Sequence, residues 1–490
     1  MSAPRDNDEQ HGEDQRDITP PRHARVPAWT VVQPRGAEPQ SADAAGPDDR
    51  LRILLLCNYD PRGAATVCDH INAFHTYSRH EVTVYSRIGE LADWLSFDDF
   101  DVVVVHYSSF IGVNAYVTSK TRHRLARFQG LKAIFLQDEY RFVDRTSAAI
   151  REAGISLVFT CVPTAEISKV YPAERLPGVR FVNVLTGYVA EGLKLFQPKP
   201  LAERKIMVGY RGRVYPAWHG PAGREKFEIG RRFRTDAKQF GLRCDIAWDE
   251  SRRLYGLDWV DFIRDCRAVL AVESGASVFD FDGTISARTE AFVRLLGLAE
   301  RPRGKSLALL SAIGWPGKGL EEQETYEELR RRFFAGNEDA IDLAQLSPRV
   351  FEAITLQTLL IMYEGRYSGI LEPWRHFLPL KKDHSNMAEI VAALRDPVRV
   401  AEIIATCYAE IAENPAYSYE RFIRHVDAVT ETAMTGRPRA KAPTLSQAQF
   451  YEKAPFYHVE YPHSVAGGRR RNLTRAAGAA RAALKKLLRS

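Results

Sequence analysis

The sequence predicts an α/β protein made of two consecutive parallel-sheet domains, and three observations carry that expectation. Order begins abruptly at the apolar run LRILLLCNY, which opens at Leu51. Short β-branched or aromatic runs then alternate with stretches of helix-like composition. The alternation starts afresh after LFQPKPLAERK, a Pro- and Lys-containing linker. A run that is polar only at its ends fits a strand covered on both faces of a parallel sheet. Strands alternating with helices make βαβ units, so each half reads as a Rossmann-like domain.

In the first half the strands are LRILLLCNY, EVTVYS, DVVVVHY, KAIFLQDEY and SLVFTCV. Between them lie VTSKTRHRLARFQG and RTSAAIREAG, helical stretches that close on Gly. In the second half the strands are KIMVGYRG, RCDIAWD, RAVLAVES, SLALLSAI and TLLIMYEG, with helices at REKFEIGRRFRTDAKQFG and DWVDFIRDC. A helical run follows PLKKDHSN. The expected boundaries are a disordered tail over 1–50, an N-terminal domain over 51–198, a C-terminal domain with its trailing helices over 199–436, and a basic tail over 437–490. Two such halves leave a cleft faced by the carboxyl-end loops of both sheets.

A chain of 490 residues is too long for one ordinary core. Its 45% hydrophobic and 27% charged residues are those of a globular protein. The net charge of +6 is mild and unevenly spread, and no nucleic-acid partner is expected from it. Six cysteines (57, 68, 161, 244, 266 and 407) form no CxxC pair, so reduced thiols and a cytoplasmic location are expected. The N-terminus has no apolar core of a secretory signal, and no run approaches a membrane span.

The stretch VESGASVFDFDGTI, residues 272–285, contains DFDGT, which matches the nucleophile motif of haloacid-dehalogenase-type phosphatases. In that chemistry Asp280 attacks phosphorus and Asp282 serves as acid and base around Mg2+. The context disagrees. The buried strand is RAVLAVES, which ends before the motif, and no downstream acidic pair completes a metal site. Asp280 and Asp282 are read instead as ligands for sugar hydroxyls or as loop-stabilising aspartates. The Mg2+ phosphohydrolase is kept as an alternative.

In LSPRVFEAITLQTLLIMYEG, Ser347 suits a helix N-cap and Pro348 the first turn. The positive end of that helix, at Ser347 to Arg349, suits a diphosphate, and Glu352 one turn later suits a pair of ribose hydroxyls. Arg211 and Arg213 follow a buried strand and are candidates to clamp a pyrophosphate, against a reading as a surface pair. SPRVFEA followed by a strand resembles the donor-nucleotide helix of GT-B glycosyltransferases of the broad group-1 class. QDEYR, FTCVP, LTGY, GYRGR, DIAWDE, ESGASVFDFDG and GILEPWRHFLPLKKD resemble, in that order, a bacterial subset linked to surface-polysaccharide synthesis. The resemblance spans about residues 51–435.

It implies transfer of a sugar from a nucleotide-sugar to an acceptor hydroxyl on a glycan or lipid-linked molecule, with no cofactor or metal and with the donor in the C-terminal domain. It assigns Glu352 to the ribose, an arginine of GYRGR and Lys226 to the diphosphate, and ESGASVFDFDG to a cleft loop. Relatives carry an earlier Glu where Ala344 stands, a role that passes to Glu273 here. Asp138, Glu139 and His106 end strands of the first domain and are candidates to deprotonate the acceptor, against readings as loop carboxylates and a core histidine. A catalytically silent nucleotide-sugar-binding scaffold is the further alternative. At the C-terminus, residues 470–490 place Leu473, Ala477, Leu484 and Leu488 at helical spacing among basic residues. Such a helix suits peripheral contact with the inner face of the plasma membrane, against a solubilising tail.

Overall fold

The computed structural model describes residues 30–32, 49–298 apart from 62, 310, 313, 315, 319–456 and 458–460. A short strand β1 (Thr30–Val32) opens it. The N-terminal sheet follows: β2 (Arg52–Cys57), β3 (Glu81–Ser86), β4 (Val102–Val105), β5 (Leu131–Phe135), β6 (Leu157–Thr160) and β7 (Arg180–Asn183). The C-terminal sheet holds β8 (Ile206–Arg211), β9 (Cys244–Ala247), β10 (Cys266–Ala271), β11 (Leu359–Tyr363) and β12 (Leu378–Leu380). A last strand, β13 (His458–Glu460), pairs antiparallel with β1.

The first sheet has the order β3-β2-β4-β5-β6-β7 and the second β12-β11-β10-β8-β9, with every neighbour parallel. Registers such as Leu54 opposite both Thr83 and Val103 put β2 inside its sheet, which is why LRILLLC is apolar on both faces. Each sheet carries a core on either face. In the first domain Leu54, Val103 and Ile134 point to one side and Leu55, Val104 and Phe135 to the other. The two-domain α/β architecture is therefore the one the sequence predicts.

The helices begin where their caps sit. Thr118 accepts from the Thr121 amide at the start of Ser119–Arg127, and Gly154, at φ 68°, ends Val143–Ala153 in the left-handed region. β1 and β13 fall within the stretches expected as tails, and in the two large sheets two more strands escape sequence reading, β7 and β12. The first is a half-exposed edge, and the second has three residues with Pro379 in the middle, which an edge strand tolerates. SLALLSAI falls almost wholly outside the described residues, as does the amphipathic pattern over 470–490.

The expected domain limits shift at the C-terminus. The helix Tyr419–Met434 lies on the first domain, not the second, with Phe422, Ile423 and Val426 in the core formed by Leu55, Phe74 and Phe135. The strap after it also stays docked. Asp101 is buried and accepts from the Arg439 guanidinium at 3.0 Å and the Ala440 amide at 2.7 Å. A helix at Gln447–Lys453, closed by a Ser446/Gln449 capping box, then buries Phe450. Among the described residues no helix is long and apolar enough to cross a membrane.

Phe422 packs its ring against Phe74, Phe135, His70 and Tyr188 at 4.4–6.4 Å. Truncation of a core phenylalanine costs about 3–5 kcal/mol, so Phe422→Ala is expected to lower unfolding free energy by that amount in a urea titration. A loss within experimental error would mean that this helix does not hold the first domain.

Candidate active site

The carboxyl ends of the two sheets meet around a cavity of about 110 Å³. From the first domain come Gln137, Asp138, Glu139 and Tyr140 after β5, Cys161 after β6, and Thr186. From the second come Arg213 and Tyr215 after β8, Lys226, Ser274 and Gly275 after β10, and Pro348 at the start of the helix Pro348–Thr355. The walls touch. Thr186 Oγ1 donates to the Leu346 carbonyl and the Gln345 amide to the Cys161 carbonyl, while a side chain at Gly187 would meet Pro348 at 2.9 Å.

Asp138, Glu139, Arg213 and Lys226, all expected in the site, line this one cavity. Asp138 sits at φ 57°, a left-handed conformation that aspartate tolerates better than most residues, and it is exposed, close to Tyr140. Glu139 is next to it but turned into the fold. Its Oε1 accepts from the Thr160 and Tyr171 hydroxyls at 2.6 Å each and its Oε2 from the Cys161 amide at 2.8 Å. Burial raises its pKa against those donors. A carboxylate so occupied ties β5 to β6 and is no base for an incoming hydroxyl.

His106 does not reach the cavity. It is fully buried, with Nε2 3.0 Å from His70 Nδ1 and Nδ1 2.8 Å from Ser108 Oγ. Burial, then His70, hold its pKa well below the ordinary value, so it is a neutral core histidine.

The two arginines of GYRGR part company. Arg211 is the last residue of β8, and strand alternation puts it on the face of Gly209, toward Phe262. Its guanidinium lies 4.0 Å from the Phe262 centroid and donates to Asp245 Oδ2 at 2.8 Å, so it is a structural residue. Gly212 then breaks the strand, and Arg213 lies over the Tyr215 ring at 4.3 Å. Lys226 Nζ lies 4.6 Å from the same ring and donates to the Gly275 carbonyl at 3.1 Å. Arg349 leans on Trp259 at 5.3 Å and donates to the Arg211 carbonyl at 3.0 Å. Cations thus gather near the positive end of the Pro348–Thr355 helix.

Ser347 occupies the N-cap position of that helix but makes no side-chain cap bond. Glu352 is buried, only 8% exposed. Its Oε2 accepts from the Trp259 indole at 2.8 Å. Burial raises its pKa, opposed by Trp259 and Arg349. Glu273 holds the loop after β11, accepting from the Arg366 and Tyr367 amides at 3.1 and 2.7 Å. That geometry makes it a loop anchor beside the cavity.

DFDG is a turn onto the helix Thr284–Leu295. Asp280 is wholly buried, and its oxygens accept from the Ile285 and Ser286 amides at 3.1 and 2.7 Å. Asp282 accepts from the Thr284 amide at 2.8 Å and hydroxyl at 2.6 Å, bonds that lower its pKa. Buried and saturated in this way, Asp280 is not available to a phosphate or a sugar, whereas Asp282 is exposed and bonded to Thr284. The same loop joins the domains, since the Phe142 amide donates to the Asp280 carbonyl and the Asp280 amide to the Tyr140 carbonyl. Sequence reading missed Tyr215, Thr186, Gln345 and Trp259. Tyr215 stands two residues from Arg213 and was within reach, whereas the others are brought in only by the meeting of distant segments.

No family model and no curated protein sequence matches this chain. Among solved structures it is similar to an α-glucosyltransferase in complex with UDP and DNA, at TM-score 0.46 and 10% identity, over 78% of this chain and 100% of that one. Anabaena HepE in complex with UDP-glucose gives 0.42 and 12%, over 78% and 100%. A UDP-forming trehalose-phosphate synthase from Burkholderia xenovorans gives 0.38 and 10%, over 78% and 99%. The likeness is one of architecture, and the fold itself rests on the two parallel sheets described above.

Losing a helix-capping carboxylate costs about 0.5–2 kcal/mol, so Asp280→Ala is expected to lower stability by that much in denaturant. The wild type is expected to show no Mg2+-dependent hydrolysis of p-nitrophenyl phosphate above the blank. Robust turnover abolished by Asp280→Ala would restore the phosphatase reading.

Proposed function

We propose that this chain is a GT-B-type glycosyltransferase that moves a sugar from a nucleoside-diphosphate sugar to an acceptor hydroxyl. The observation that carries the reading is the pairing of Arg213 and Lys226 in one interdomain cavity that also includes Pro348, at the positive end of a helix. Glycosyl transfer breaks the bond between the anomeric carbon and the diphosphate oxygen. Negative charge then collects on the departing diphosphate, where cations and a helix dipole stabilise it. The Glu352 carboxylate, one turn into the helix, holds the ribose hydroxyls. On the opposite wall, Asp138 is the exposed carboxylate that takes the acceptor's proton as its oxygen bonds to the anomeric carbon.

A cavity of about 110 Å³ is too small for a nucleotide, because ligand sites run to roughly 300–1,000 Å³. Binding therefore requires the Thr186–Leu346 and Gln345–Cys161 contacts to part and the domains to open. The acceptor is read as a glycan or lipid-linked hydroxyl in surface-polysaccharide or glycolipid synthesis, following the sequence blocks that resemble such enzymes. A cytoplasmic protein of this kind would meet lipid-linked acceptors at the inner face of the plasma membrane.

The test is thermal shift and calorimetry with a panel of nucleoside diphosphates, headed by the UDP held in one of the solved structures above. A ligand at 100 times its Kd adds about 2.7 kcal/mol to stability. Glu352→Gln, which weakens charge-assisted bonds, is expected to reduce affinity for the best nucleotide about tenfold. Unchanged affinity would mean that the donor helix is misassigned. Slow hydrolysis of the matching nucleotide-sugar separates an enzyme from a silent scaffold, which would bind without turnover.

A further inference from the structure

Tyr215 lies in the cavity between the two cations assigned to the diphosphate, with Arg213 4.3 Å and Lys226 4.6 Å from its ring centroid. Its hydroxyl is close enough to Arg213 for the two to interact. A guanidinium has donors only, so in that interaction the phenol oxygen is the acceptor and its own proton remains to be given. We propose that Tyr215 gives this proton, as a hydrogen bond, to a non-bridging oxygen of the donor's diphosphate and so acts as a third binding partner beside Arg213 and Lys226. No bond to hydrogen breaks, because the phenol keeps its proton throughout. The inference rests on the nucleotide-sugar reading above and adds to it a binding residue that the sequence did not single out.

The surroundings suit that role. Facing the phenol are Arg213 from its own loop, Lys226 and His219 from the next segment, Arg349 from the Pro348–Thr355 helix, Asp138 and Tyr140 from the first domain, and Tyr210 from β8. Burial opposes ionisation and is the largest influence, but Lys226, Arg213 and Arg349 together outweigh it and leave the pKa below the ordinary phenol value. A more acidic hydroxyl is a stronger donor to an anion. Burial lowers His219 to about 3 and raises Tyr140 and Tyr210 above the ordinary phenol range. The donor form is the protonated phenol, so its contribution to binding is full below the phenol's pKa and is lost as pH rises through it.

Calorimetry with UDP, GDP, ADP and CDP, at about pH 7 and about pH 9.5, on the wild type and Tyr215→Phe, tests this. Phenylalanine keeps the ring beneath both cations, so folding is preserved and only the hydroxyl is removed. At neutral pH the variant is expected to bind the tightest nucleotide roughly fivefold to tenfold more weakly, the range of one hydrogen bond to a charged group. Raising the pH is expected to weaken the wild type more than the variant, because only the wild type has a phenol to lose its proton. Equal affinity of the two proteins at both pH values, or an equal fall in both, overturns the inference while leaving the nucleotide-sugar reading intact. No binding of any nucleotide to the wild type overturns both.

Discussion

The arrangement depends on one hydrogen bond between the two places where the chain passes from domain to domain. The Val189 amide, on the outward crossing, donates to the Tyr417 carbonyl on the return, 2.8 Å away, and Val189 bridges Ser418. Each crossing alone would let its domain swing freely. Bound side by side they form one covalent crossing, from which the helix Tyr419–Met434 runs back over the first domain. The wall contacts and the DFDG turn add further links between the domains. The two sheets are thereby held with their carboxyl ends toward each other, and loops that are far apart in sequence become the walls of one cavity.

What collects there follows from parallel topology. Strands that all run one way place all their following loops at one end, so a βαβ domain carries its functional groups on one rim. Here one rim brings Asp138, and the other brings Arg213, Lys226 and the start of a helix. The carboxylate and the cations come from different domains. An anion bound to the second domain and a hydroxyl brought by the first would meet between them, and closure would exclude water from the reacting atoms. The DFDG turn contributes to this assembly as a joint, through the backbone bonds between Asp280 and the Tyr140–Phe142 segment.

Much of the fold was legible in the sequence because buried parallel strands leave continuous apolar runs. In the two large sheets the strands that were not legible, β7 and β12, lie at sheet edges and are too short or too exposed to leave one, and β1 and β13 are three residues each within stretches read as tails. The return of the last long helix to the first domain was also hidden, since an apolar face does not say which core it covers. At the site, sequence identified the right segments better than the right atoms. Arg211 and Arg213 look equivalent in GYRGR, yet strand parity sends one to Phe262 and the break at Gly212 sends the other to the cavity. Asp138 and Glu139 are neighbours with the same chemistry, and one is saturated by Thr160, Tyr171 and Cys161 while the other is exposed. His106 ends a strand as a base might, but faces His70 in the core. Such distinctions depend on which way a side chain turns, and short motifs do not record it.

The central claim is that a nucleoside-diphosphate sugar binds between the domains and draws on both. Hydrogen–deuterium exchange with and without the tightest-binding nucleotide-sugar tests it most directly, because protection maps to segments. The account predicts slowed exchange in residues 212–216, 274–275 and 345–352 of the second domain, joined by 137–140 and 186–189 of the first. Protection confined to 280–286, or to segments remote from the cavity, would contradict it.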